Sequence, residues 1–229
     1  MMRIRIAALL AALSTPAAAQ VGHTPETSPY RDIDTRLRLG VFAGPYFAAK
    51  DPARVFPKNA VLTGLQLDLH VGGPGDLTFR LGVLPTTRNE LDPTLDQGQR
   101  IVATPDVNLG FAEVGLSFHL TGKKSWHSLA PLLYSTVGIV SDFRGADGGG
   151  YQHGSTFAFG YGFGVRYIPT GKRVSFRVDL GSYLYSVEYP DSYYVAAGDG
   201  TRVLTTRTPK SSWRNNGVIL FGASYRLFR

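Results

Sequence analysis

The chain has 229 residues, a formal net charge of +7 and no cysteine, so disulfides, thiolate catalysis and Cys-ligated zinc are all excluded. Its basic residues are scattered rather than gathered into the continuous footprint that nucleic-acid backbones require. With 27 glycines, 14 prolines and 12 tyrosines but few helix-forming runs, the composition is that of an all-β protein, and no window approaches the ~20 apolar residues of a membrane-spanning helix.

Arg3 and Arg5 precede a short apolar stretch over 6–13, followed by Pro16-Ala-Ala-Ala-Gln20. These are the n-, h- and c-regions of a secretory signal, so residues 1–19 are expected to be a signal peptide cleaved after Ala19. Residues 20–35 are expected to be a flexible polar lead, and 36–229 one domain. The mature length of about 210 residues suits a single barrel or sandwich.

From residue 36 onward, eight segments alternate with the period of two that marks a strand. The first, over 36–45, sets Leu37, Leu39, Val41 and Ala43 against Arg36, Arg38, Gly40 and Phe42. The second, over 61–71, sets Thr63, Leu65, Leu67, Leu69 and Val71 against Gly64, Gln66, Asp68 and His70. Gly72-Gly-Pro-Gly-Asp76 reads as a tight reversal. The third segment then turns Leu77, Phe79, Leu81 and Val83 one way and Thr78, Arg80 and Gly82 the other.

The fourth, over 107–120, opposes Ala112, Val114, Leu116 and Phe118 to Glu113, Gly115, Ser117 and His119. The fifth, over 129–140, is apolar on both faces, with Leu133, Val137 and Ile139 expected outside and Tyr134, Thr136 and Gly138 inside. In the sixth, Phe157, Phe159, Tyr161, Phe163 and Val165 alternate with Ala158, Gly160, Gly162, Gly164 and Arg166. The seventh opposes Val174, Phe176, Val178 and Leu180 to Ser175, Arg177, Asp179, Gly181 and Tyr183, and the eighth runs over 217–228.

Short turns follow segments two, four and six, whereas long polar connections follow one, three, five and seven. That alternation is what an up-and-down barrel with one trimmed rim requires. The greasy faces would then meet lipid and the small or charged faces a crowded interior. The predicted fold is an eight-stranded antiparallel up-and-down transmembrane β-barrel.

On these segments the chain resembles the small eight-stranded outer-membrane barrels of the OmpA and OmpX kind. Gly222-Ala-Ser-Tyr225-Arg-Leu227-Phe228 is similar to that family's C-terminal assembly signal. The resemblance implies location in the cell outer membrane after signal-peptide removal, and the barrel-assembly machinery as a transient partner. Outer-membrane lipids including lipopolysaccharide are the expected surroundings, nucleic acid is not a partner, and the protein is expected to be a monomer.

An eight-stranded barrel is just wide enough to be filled by its own side chains. Arg38, Asp68, Arg80, Glu113, Arg166, Arg177 and Asp179 all face inward and must pair or be hydrated, so an ionic plug with arginine in excess is expected. Closing the short turns by register places Asp68 opposite Arg80 and His70 opposite Thr78. It also places Gly164 opposite Arg177, Gly162 opposite Asp179, and Gly115 beside Tyr134. Trp126, Tyr167 and Tyr225 at one rim and Phe47, Phe143, Phe157 and Trp213 at the other are expected to form aromatic belts.

Chemical constellations are sparse. His153-Gly-Ser155 is similar to the His-x-Ser motif of lipid A deacylase barrels, without their flanking residues or an evident acidic partner. His70 and His119 lack a third convergent ligand, so no metal or cofactor is expected. The carboxylates of 142–147 lack calcium-loop spacing and read as a solvated loop. Loop cations Lys50, Arg54, Lys58, Arg88, Arg100, Arg202, Arg207 and Arg214 are expected at the surface, read first as solubilising loop charge, with contact between some of them and lipopolysaccharide phosphates as the second reading. The expected role is non-enzymatic, structural or surface-interacting. The alternatives are a narrow solute channel, a lipid-modifying enzyme, and a soluble lipocalin-like barrel with its apolar faces turned inward.

Overall fold

A computed structural model describes residues 28–33 and 36–227, so the expected signal peptide, most of the lead, and Phe228 of the assembly signal lie outside the described residues. Twelve strands are present: β1 (Tyr30–Asp32), β2 (Leu37–Phe47), β3 (Ala60–Gly72), β4 (Gly75–Thr87), β5 (Glu90–Leu91), β6 (Ile101–Ala103), β7 (Asp106–His119), β8 (Lys124–Trp126), β9 (Leu129–Ser141), β10 (Ser155–Tyr167), β11 (Val174–Glu188) and β12 (Ser211–Arg226). Eight of them close a ring in the order β2-β3-β4-β7-β9-β10-β11-β12 and back to β2, every pairing antiparallel and each between successive barrel strands except the closing pair of the last with the first. The expected eight-stranded up-and-down barrel is therefore the observed fold, and closure removes the exposed edges that an open sheet would carry.

Two additions were not legible as segments. Tyr30–Asp32, within the stretch read as a polar lead, pair with Lys124–Trp126 and extend the short-turn rim as a small flap. β5 and β6 form a two-stranded ribbon within the connection 88–105. The flap continues into β9 through a two-residue turn, His127-Ser128, with both residues at positive φ (48° and 67°).

The registers correct all five expected pairings, which fall on three strand pairs. Asp68 lies opposite Thr78, His70 opposite Asp76, and Arg80 opposite Gln66. Arg166 faces Arg177, Gly164 faces Asp179 and Gly162 faces Gly181. Gly115 faces Thr136, while Tyr134 lies opposite Ser117. Each difference is a slip of two residues, which preserves the inward and outward faces; a slip of one would have turned every apolar residue into the lumen. The β3–β4 hairpin closes on Gly72 and Gly75 with an irregularity between His70 and Gly72. The last pair of the β10–β11 ladder before the turn is Tyr167 with Phe176.

Alternation is preserved around the ring. Leu39, Val41, Leu65, Leu81, Phe118, Leu133, Ile139, Phe163, Phe176 and Phe221 stand exposed on the outer wall. Arg38, Asp68, Asp76, Arg80, Glu113, Arg166, Arg177 and Asp179 are buried in the lumen. All seven aromatics assigned to the rims are exposed on the outer surface, from Tyr167 and Tyr225 at 45% to Phe143 at 85%.

Candidate functional site: the ionic lumen and its rims

The inward charges occupy the half of the barrel nearer the short turns. Asp68, at the centre, accepts hydrogen bonds from the Thr78 hydroxyl (2.8 Å), the Gln66 amide (2.8 and 2.9 Å) and Arg166 (2.5 Å), with Arg177 3.9 Å away. Asp179 holds Arg80 and Arg177, each at 2.6 Å. Glu113 accepts from Thr136 (2.6 Å) and the Tyr183 hydroxyl (2.7 Å). Arg80 also donates to Gln66 and stacks its guanidinium over Tyr134 at 4.8 Å, while Arg177 stacks on the same ring at 5.5 Å. The two cations thus share one phenol ring as well as the Asp179 carboxylate.

The expected Asp68–Arg80 pair is not formed, because the two-residue slip puts Thr78 and Gln66 where Arg80 and Asp68 were each expected to find their partner. Nor is arginine in excess. Asp76, assigned by its neighbours to a turn, lies inside β4 and binds His70 (3.0 Å), His119 (3.0 Å) and Arg166 (3.1 Å). Among the described residues, four lumenal carboxylates (Asp68, Asp76, Glu113, Asp179) therefore balance four lumenal arginines (Arg38, Arg80, Arg166, Arg177). Extending the parity of Thr78 and Arg80 two residues backward would have found Asp76.

Glycine supplies the room. A Cβ at Gly164 would come within 3.0 Å of the Asp179 carboxylate, at Gly162 of the Tyr134 hydroxyl, and at Gly160 of the Thr136 hydroxyl. The side chains next to this glycine stripe are Asp179, Tyr134, Thr136 and, at its edge, Tyr183. Beside Arg177 and Asp179 the remaining cavity is about 10 Å³, room for at most one water.

Above the ionic layer the lumen turns aromatic, and the loops fold over it. Tyr46 and Tyr185 share a hydroxyl hydrogen bond of 2.5 Å, and Phe42, Phe111 and Tyr183 fill the layer beneath. Val55, Phe56, Tyr151, Tyr189, Tyr193 and Leu204, from three different loops, continue this cluster outward. Asp51 ties the first loop by accepting the amides of Val55 (2.7 Å) and Phe56 (3.1 Å) and the Tyr189 hydroxyl. Burial, reinforced by that bond, holds the Tyr189 phenol above its ordinary range.

Several loop residues expected in solvent are buried instead. Arg88 pairs with Asp147 (3.2 Å) and stacks on Tyr151 at 5.1 Å. Arg100 reaches across to the fourth loop, donating to the Thr201 carbonyl (3.0 Å) and hydroxyl (2.5 Å). Asp142 and Asp147 are buried too, the latter accepting the amides of Gly149 and Tyr151, so the segment read as a solvated loop is a folded part of the cap. The cause is the same throughout: the barrel mouth offers aromatic surface, and the loops bring polar anchors to cover it. Lys50, Arg54, Lys58, Arg202 and Arg207 stay exposed.

His153 and Ser155 are not brought together. His153 packs edge-on against Phe56 and Tyr185 inside the cap, where burial lowers its pKa to about 4. Ser155 points outward and donates to Ser141 at 2.8 Å, in a furrow of the outer wall that also includes Ala112, Ile139 and Phe143. His70 and His119 share Asp76, and no group of three metal-ligating side chains occurs among the described residues. Within the C-terminal motif, Tyr225 and Leu227 are exposed, whereas Gly222 lies opposite Phe42 on β2 and Arg177 on β11. No family model matches the chain, and no curated protein matches its sequence.

Proposed function

We propose that this chain is an integral outer-membrane β-barrel, a monomer with a closed ionic lumen, whose role is structural or surface-interacting rather than catalytic. The observation that carries the reading is the inverted distribution of side chains: charges within, and an exposed apolar wall bounded by Trp126, Tyr167 and Tyr225 at one rim and Phe47, Phe157 and Trp213 at the other. A lipocalin-like barrel needs the opposite arrangement, with apolar faces turned toward a ligand. Barrel strands of 11–16 residues reach or exceed the ~9–11 needed to cross a bilayer at a tilt.

The folded cap forms the outer surface in this reading, with Lys50, Arg54, Lys58, Arg202 and Arg207 available to lipopolysaccharide phosphates. The small-barrel resemblance adds the assembly machinery as a transient partner during insertion.

Fractionation of expressing cells, combined with heat-modifiable migration on a detergent gel, tests the location. Recovery in the soluble periplasmic fraction would overturn it. Conductance across planar bilayers tests the closed lumen: reproducible steps that change with Arg80→Ala would establish a channel instead.

A further inference from the structure

At the short-turn mouth, on the opposite end from the cap, a cavity of about 140 Å³ opens between the β1–β8 flap and the β10–β11 turn. We propose that it binds a phosphate-bearing anion, with Arg38 at its floor and Arg31, Lys172 and Arg173 at its rim.

The lining is strongly one-sided. Among the described residues that line it, Arg31, Arg38, Lys172 and Arg173 meet a single carboxylate, Asp32, and Arg226, which has an interaction of its own, adjoins them. Arg38 is the decisive group. It is 3% exposed, yet its Nη1 has no hydrogen-bond partner, and no carboxylate lies within ion-pair distance of it among the described residues. The other three lumenal arginines each hold a carboxylate at 2.5–2.6 Å, so Arg38 departs from the rule of its own barrel. Leaving a buried guanidinium nitrogen unmatched is costly, and an anion entering the cavity would supply the missing acceptor.

The walls are built rather than incidental. Arg31 sits on β1, whose backbone pairs with β8, and its carbonyl accepts from the buried Ser125 hydroxyl at 3.3 Å. Across the opening, Gly171 at φ 68° lets the Lys172 amide bond the Pro169 carbonyl, which places Lys172 and Arg173 consecutively on the rim. Arg173 also donates to the Tyr225 hydroxyl at 3.4 Å, so the rim adjoins a belt aromatic. At ~30 Å³ per water the cavity holds about four or five solvent molecules, or one tetrahedral oxyanion with residual hydration. Arginine forks with a lysine point charge are the chemistry that recognises phosphate.

Such a group comes either from a free phosphate or from a lipid headgroup of the leaflet at this rim, and only the second source depends on the membrane reading above. Titration calorimetry of the detergent-purified chain with sodium phosphate at low ionic strength, using sodium chloride as control, tests the first source. Nanodiscs containing phosphatidylglycerol or phosphatidylcholine, read by the amide resonances of Lys172 and Arg173, test the second.

Saturable binding of phosphate, or shifts with phosphatidylglycerol over phosphatidylcholine, is the expected result. Arg38→Gln should weaken it by about tenfold or more. Because that change lies in the lumen, Lys172→Gln and Arg173→Gln on the exposed turn serve as a second pair that leaves the barrel intact, each expected to weaken binding severalfold. The absence of saturable binding to both probes would overturn the proposal, as would binding unchanged in all three variants.

Discussion

Arg166 and Arg177 stand directly opposite each other across the β10–β11 ladder, two like charges at adjacent lumenal positions. Directly opposed like charges destabilise a sheet, so their tolerance needs a cause. It lies in the carboxylates that divide them: Asp68 and Asp76 take Arg166, while Asp179 takes Arg177 and Asp68 leans toward it at 3.9 Å. Asp68 is the only carboxylate in ion-pair range of both guanidinium groups among the described residues, which makes it the keystone of the ionic layer.

Asp68→Asn keeps the shape and most acceptors but removes the charge between the two arginines. Breaking a buried pair from one side costs about 3–5 kcal/mol, and that is the expected loss in urea unfolding of the reconstituted barrel. Adding Arg177→Met should recover part of it, because one of the exposed like charges disappears. If Asp68→Asn unfolds at the wild-type midpoint, the pairing described here does not hold the lumen together.

Gly160 gives a steric test that involves no charge. Its added Cβ would meet the Thr136 hydroxyl, the Tyr183 ring and the Glu113 carboxylate, all of them side-chain atoms. Gly160→Ala should cost about 2 kcal/mol by overpacking. In a Thr136→Ala background the same change should cost about 1 kcal/mol less, a coupling readable by a double-mutant cycle. Simple additivity would mean that the glycine stripe is not a packing complement of β9.

How far the chain announces this structure differs by element. The barrel was legible because period-two alternation recurs in eight segments, and because short and long connections alternate. Lumenal assignment of Arg38, Asp68, Arg80, Glu113, Arg166, Arg177 and Asp179 followed from the same parity, and all seven are buried. Pairing partners were not legible. Parity is unchanged by a two-residue slip, and only the local geometry of the turns, such as the irregularity between His70 and Gly72, selects between registers. Burial of Arg88, Arg100 and Asp147 was invisible for another reason: their partners, Tyr151 and Thr201, come from loops with no periodicity to place them.

His153 makes the cap sensitive to acid. Burial between Phe56 and Tyr185 is the dominant influence and lowers its pKa to about 4, with Asp142 acting in the opposite direction and Arg88 in the same one. A histidine whose folded pKa lies below its unfolded value of about 6.5 contributes fully above that value, and its contribution is lost as pH falls toward 4. Between pH 7 and 5.5 the protection factor of the Tyr151 amide, which donates to Asp147, should fall about tenfold. His153→Phe should flatten that dependence. A protection factor that declines identically in the variant would assign the effect to another group.

The turn between β8 and β9 carries strain that sequence chemistry can relieve. His127 and Ser128 both adopt φ values of the left-handed region, 48° and 67°, in the two-residue hairpin that suits Asn-Gly. Main-chain bonds hold it there: the His127 amide donates to the Pro29 carbonyl, and the Ser128 carbonyl accepts from Ile168. Replacing the pair by Asn-Gly leaves those bonds intact while removing the Cβ at 128 and placing at 127 a residue that tolerates the left-handed region, partly offset by the added freedom of glycine when unfolded. A gain of about 1 kcal/mol is expected, seen as slower exchange of the Ile33 amide, which bonds the Lys123 carbonyl beside the flap. The opposing term is the edge contact between the Trp126 and His127 rings at 4.7 Å, which the substitution deletes. Because an edge-on aromatic pair contributes only about 0.5–1.5 kcal/mol, faster exchange at Ile33 would show that this contact, rather than backbone strain, governs the flap that walls the basic pocket.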